Sequence, residues 1–161
     1  MADDAPAVEM TAPPMLAAPC PARPTRHQRH LWLGPVLTAP ATARQAATEF
    51  LGSCGLAELA ETTAQVVSEL VTNAVLVSRT SVDSRRPIPP PIGFTLSAES
   101  GRVLVEVWDC SEDPPVVLLP GTYSENGRGL FLVACLSEMW GWSDAQRGKC
   151  VWAEIAKESA Q

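Results

Sequence analysis

The chain has 161 residues, 46% of them hydrophobic, a formal net charge of -6 and a sequence isoelectric point near 4.9. That length holds one domain with a sizeable core and excludes two full ones. The acidic balance argues against broad nucleic-acid binding and against docking on an anionic membrane, and leaves a small-molecule ligand or a protein partner.

No apolar run approaches the roughly 18 residues that cross a bilayer. The opening Met1-Ala2-Asp3-Asp4 lacks the basic start and apolar core of a signal peptide, so a cytoplasmic location is expected. Five cysteines (Cys20, Cys54, Cys110, Cys135, Cys150) are scattered, with no Cys-x-x-Cys pair. They read as reduced thiols rather than as a zinc site or a disulfide framework.

Residues 1–28 are expected to be a disordered Ala/Pro-rich tail, since Pro13-Pro14, Pro19, Pro21 and Pro24 stand among few large apolar residues. The single domain is expected over 29–157, with 158–161 a second tail. Arg23, Arg26, His27, Arg29 and His30 read as a solvated basic junction. Leu31-Trp32-Leu33 and Val36-Leu37 predict a first strand, interrupted at Gly34-Pro35 and confined by that proline to an edge. Thr38-Ala39-Pro40 opens a helix to about Leu51, stopped by Gly52 and Gly55. A long helix follows from about Glu58 to Val77. Val66, Leu70, Ala74 and Val77 form its apolar stripe.

Residues 79–91, with Pro87 and Pro89-Pro90-Pro91, read as a loop. Gly93–Ala98 and Val103–Trp108 alternate and join through Glu99-Ser100-Gly101-Arg102 as a hairpin. An irregular stretch from Cys110 to Glu125 is long enough to be a lid. A short helix to about Leu136, a strand at Met139-Trp140-Gly141-Trp142 and a last strand Cys150–Ile155 complete the chain. Helices mixed with a mainly antiparallel mixed sheet predict a two-layer α/β sandwich.

Three groups carry candidate chemistry. Glu69 and Asn73 stand one helical turn apart, so their side chains lie one above the other. The carboxylate can deprotonate a nucleophile and the amide oxygen can take a hard cation; the plain alternative is a solvated helix face. Asp109 ends an apolar strand and needs partners there. It can accept the exocyclic amino group of adenine, or simply form a turn. Gly127-Arg128-Gly129-Leu130 marks a loop-to-helix junction where backbone N–H groups can face phosphate, or an ordinary loop. Gly148 suits a tight turn, and Lys149 reads as an exposed lysine that needs no explanation.

In this order the segments Glu69–Val75, Val105–Ser111 with Pro114-Pro115, Gly127–Val133, Trp140-Gly141-Trp142 and Gly148–Glu154 resemble the GHKL ATP-binding superfamily, the histidine-kinase-like ATPase (Bergerat) fold. They are most similar to the anti-sigma-factor serine/threonine kinases and the small ATP-binding regulatory proteins of actinobacteria. The resemblance implies ATP and Mg2+ as cofactors. It implies Asn73 as magnesium ligand and Glu69 as general base for a substrate serine. It also implies Asp109 as adenine acceptor and Gly127, Arg128, Gly129 and Leu130 at the phosphate-facing edge. Phosphoryl transfer asks for little beyond positioning, a metal and a base.

The protein partner implied is a sigma factor or a small antagonist, with a homodimer through the first strand and helix possible. Two departures stand out. Leu76 and Val77 replace a basic residue and a histidine, and Cys150 replaces a threonine that helps hold adenine through water. The competing readings are an ATP-binding or partner-capture module without catalysis, and an α/β domain without a ligand.

Overall fold

In the computed structural model of this chain, the described residues are 16–17, 20–21, 25–85, 87–117 and 128–157. They form a two-layer sandwich, with helices on one face of a sheet. In chain order the elements are β1 (Leu16–Ala17), β2 (His27–Leu33), α1 (Ala39–Ser53), a 3-10 turn (Ala57–Leu59), α2 (Ala60–Thr80), β3 (Ile92–Glu99), β4 (Arg102–Asp109), α3 (Gly129–Leu136), β5 (Met139–Ala145) and β6 (Gly148–Ala156). The sheet order is β1-β5-β6-β4-β3-β2, antiparallel throughout except for β1 beside β5.

The alternating sequence of β4 decides which way its side chains point. Val103, Val105 and Val107 are buried against the helices, while Leu104, Glu106 and Trp108 face the other side, half-buried. Period-2 alternation in a strand produces this division directly. Ile92, Phe94 and Leu96 of β3 and Val151, Ala153 and Ile155 of β6 extend the same apolar face. α2 lays Val66, Val67, Leu70, Val71, Ala74 and Val75 on it, and α1 adds Ala43, Ala47, Phe50 and Leu51. Burying a side chain such as Phe94 contributes roughly 1.5–3 kcal/mol, and cutting it to Ala costs about 3–5 kcal/mol with the cavity left behind.

The hairpin predicted at 99–102 is present. Ser100 (φ 48°) and Gly101 (φ +79°) both adopt the left-handed region, as a two-residue turn with mirror-image backbone requires. α1 starts where the Thr-Ala-Pro signal placed it, although the Thr38 hydroxyl makes no capping hydrogen bond. α2 runs past the expected end at Val77 to Thr80, with Arg79 in its last turn favourable to the helix dipole.

Four expectations are corrected. Val36-Leu37 is not strand: the Val36 N–H bonds to Gly34 O and the Ala39 N–H to Val36 O, folding the segment into turns ahead of α1. The first strand begins at His27, inside the expected tail and through the expected basic junction. The full length of β3 is available for pairing there, and the polar side chains find partners across it. His30 Nδ1 lies 2.7 Å from Thr95 Oγ1, and the Gln28 amide donates to Ser97 Oγ. Leu16–Ala17, also in the expected tail, pair in parallel with Gly141 and Trp142, taking up the otherwise open edge of β5. The last strands are also longer than read: β5 continues to Ala145 and β6 begins at Gly148.

Candidate functional site

α2 buries one stripe of side chains in the core and carries Glu69 and Asn73, both half-buried, beside it. Neither side chain makes a hydrogen bond to a described residue, so both polar heads are available to a ligand. Beside them is a cavity of about 340 Å³, lined among the described residues by Leu70, Asn73, Leu76 and Val77 of α2, Val107 and Asp109 of β4, Leu130 of α3, and Lys149 and Val151 of β6. Ser111, Asp113 and Pro114-Pro115-Val116 close one side. Its walls are aliphatic, with a few polar groups that converge inward, the make-up of a small-molecule site.

Asp109 sits at the end of β4 with Lys149 directly opposite on β6. The Lys149 ammonium donates to Asp109 Oδ1 at 2.9 Å, and both side chains are only 5% exposed. The Ser111 backbone N–H donates to the same oxygen at 2.9 Å. All the side-chain hydrogen bonds Asp109 makes with described residues therefore go to Oδ1, and Oδ2 is left as an acceptor. Lys149 is thus not the exposed lysine expected. Parity along β6 carries the correction: Lys149 is in step with Val151, Ala153 and Ile155, which face the core.

The same parity turns Cys150 away from the cavity, toward the face of Trp108 and Glu106. Cys150 therefore does not stand in for the adenine-holding threonine. Burial pushes its thiol up to about 12, with the Glu106 carboxylate adding to the shift, so it stays protonated and unreactive. The described cysteines are all free thiols. Gly148 (φ +105°) lets the turn into β6 press on β4: a Cβ there would strike the Asp109 carbonyl oxygen and Cys110 Cα. This contact fixes Lys149 opposite Asp109.

α3 brings the second half of the site. A Cβ on Gly129 would collide with the Glu69 carboxylate. The first turn of α3 therefore rests directly on Glu69, and the positive end of the helix faces the carboxylate. Arg128, the N-cap residue, is exposed and its side chain makes no capping bond. Leu130 points into the cavity. Gly127 lies outside the described residues. Asn73, Asp109 and Leu130 thus meet in one cavity, Glu69 and Gly129 meet at its rim, and Arg128 stands outside.

Two other concavities lie on the opposite face of the sheet. One, of about 430 Å³, includes Cys20, Arg102, Glu106 and Glu154; the other, of about 830 Å³, includes His30, Trp32 and Trp108. Neither holds Asn73 or Glu69. Among the described residues no group of three or more His, Cys, Asp or Glu is placed to hold a metal alone, so a metal here would need oxygen ligands from elsewhere, such as phosphate.

The family model of the histidine kinase-like ATPase domain matches residues 36–155. The chain belongs to that family. Domains of this family bind ATP, and the aliphatic cavity with one open carboxylate oxygen at its end fits a purine base. The fold is also similar to part of the crystal structure of the RsbU and RsbW domains of Rv1364c from Mycobacterium tuberculosis. The TM-score to that crystal structure is 0.58 at 18% sequence identity. The match covers 81% of this chain but 32% of that one, so this chain spans about a third of the length of that chain. A search of curated proteins returned no match. No helix among the described residues is long and apolar enough to cross a membrane.

Proposed function

We propose that this ATPase-family domain binds ATP with magnesium and acts as a serine/threonine kinase of the anti-sigma-factor type. Its substrate would be a serine on a small antagonist protein, and its captive a sigma factor. One observation carries the reading: Glu69 lies against Gly129 at the start of α3, beside the cavity that holds Asn73 and Asp109. Asp109 would accept from the base, and Asn73 would hold magnesium through its amide oxygen. Bound ATP supplies the transferable phosphoryl group, and magnesium neutralises its charge. Glu69 takes the proton of the substrate hydroxyl, and α3 shields that carboxylate from water.

A second reading, partner capture without transfer, is favoured by Leu76 and Val77. Leu76 is 51% exposed at the cavity edge, where the resembling kinases carry a basic residue and a histidine. Self-association through β2 and α1 fits either reading, since Trp32, Val36 and Leu37 are exposed there; sedimentation tests it. Both readings place the protein in the cytoplasm, with ATP.

Calorimetry with and without magnesium comes first, followed by transfer of labelled phosphate to a candidate antagonist. Glu69→Gln should abolish transfer while leaving ATP affinity within about threefold. Equal transfer by that variant would remove Glu69 as base. Tight ATP binding with no transfer to any partner would favour capture.

A further inference from the structure

Lys149 is a buried ammonium with more donors than it uses. It carries three N–H donors and no acceptor. One goes to Asp109 Oδ1, and Nζ makes no other hydrogen bond within the described residues. The side chain is 5% exposed and lines the same cavity as Asp109 and Asn73. Leaving ammonium donors unmet in a buried place is unfavourable, and the open volume they can reach is that cavity. Asp109 has the opposite surplus. Its Oδ1 takes both Lys149 and the Ser111 N–H, and Oδ2 remains an acceptor.

The end of the cavity therefore presents one acceptor and one charged donor side by side. Adenine shows the complement at its edge: a 6-amino donor next to the N1 acceptor. A carboxylate alone matches only the amino group, and leaves N1 facing a second lone pair.

We propose that Lys149 is a base-reading residue, donating to adenine N1 while Asp109 accepts from the 6-amino group. The inference rests on the ATP-binding reading above and extends it to a residue that the resemblance left without a role. Position 150 faces away from the cavity and cannot supply a donor to the base, whereas the adjacent position 149 lies on the inward face. No step other than binding is involved, and the pair remains an ion pair with the base docked against it.

The test uses the whole chain and two probes, ATP and 1-deaza-ATP, which keeps the amino group and lacks N1. The wild-type protein should bind 1-deaza-ATP about tenfold or more weakly than ATP, the loss of one charge-assisted hydrogen bond. Lys149→Met should bind the two probes equally, both at the weaker level. Lys149→Gln, which keeps a donor, should restore part of the difference. A purely structural lysine would weaken both probes alike and leave their ratio unchanged. Equal affinity of the wild-type protein for ATP and 1-deaza-ATP would overturn the role of Lys149 and leave ATP binding standing. No measurable ATP binding would overturn both.

Discussion

The same two strands, β4 and β6, carry an ion pair at each end, and the two pairs are built differently. At one end Asp109 and Lys149 face the helix layer, both sealed from solvent, with one oxygen and two donors unspent. At the other end Arg102 faces away from the helices and divides its guanidinium between Glu138 and Glu154, a clasp that is part exposed. The first pair is incomplete and enclosed, which suits a ligand. The second is shared among three side chains and, apart from the buried Glu154, reaches water, which suits holding strand ends together. Charge pairing alone does not mark a site; unspent capacity in an enclosed place does.

Asp109→Ala should break the first pair most severely. It removes the acceptor, leaves Lys149 buried without its partner, and should abolish measurable ATP binding while costing about 3–5 kcal/mol of stability, read by calorimetry and denaturant unfolding. Gly148→Ala should come next. The added Cβ meets the Asp109 carbonyl oxygen and the backbone stays at φ +105°, so a loss of at least about 2 kcal/mol is expected, with ATP affinity falling as the pair is displaced. At the other end, Glu138→Ala removes the exposed half of the clasp and should cost under about 1 kcal/mol. A larger loss there would mean that the two ends are not as different as their burial suggests.

The smallest effect concerns Glu106, midway along β4 on the face away from the helices. Burial raises its carboxyl above the ordinary value, while the Cys20 thiol and His30 act in the opposite direction. A raised carboxylate contributes stability below its ordinary value and loses it as pH rises through the folded value. The charged form at neutral pH is thus a burden. Glu106→Gln should raise the melting temperature slightly at neutral pH, and the gain should vanish at roughly pH 4. A gain of the same size at both pH values would sink this account.

Much of the fold was legible because period and punctuation agreed. The alternation of Val103, Val105 and Val107 and the stripe through Val66, Leu70 and Ala74 left little choice about β4 and α2. Ser100-Gly101 announced the hairpin. Asn73, Asp109 and Leu130, to which the family resemblance gives site roles, line one cavity. The short parallel pairing of Leu16–Ala17 was not legible, because a two-residue strand has no period of its own and is specified by the edge it meets. β2 starts four residues before the expected Leu31, since its charged half looks like a solvated junction until β3 lies beside it. Lys149 and Cys150 face opposite to expectation, although the signal is present in the sequence. Counting back by twos from Ile155 puts the lysine inside and the cysteine outside.

β6 comes last among these strands in the chain, yet it lies between β4 and β5. Until it inserts, β4 and β5 have no common partner, and both present open edges. Nor is there a wall opposite Asp109, so the cavity does not exist until β6 is in place. Non-local pairing of this kind is slow to form and exposed to aggregation while it waits. A nucleotide can therefore select only chains in which β6 has inserted. It should act late, slowing unfolding more than it speeds folding.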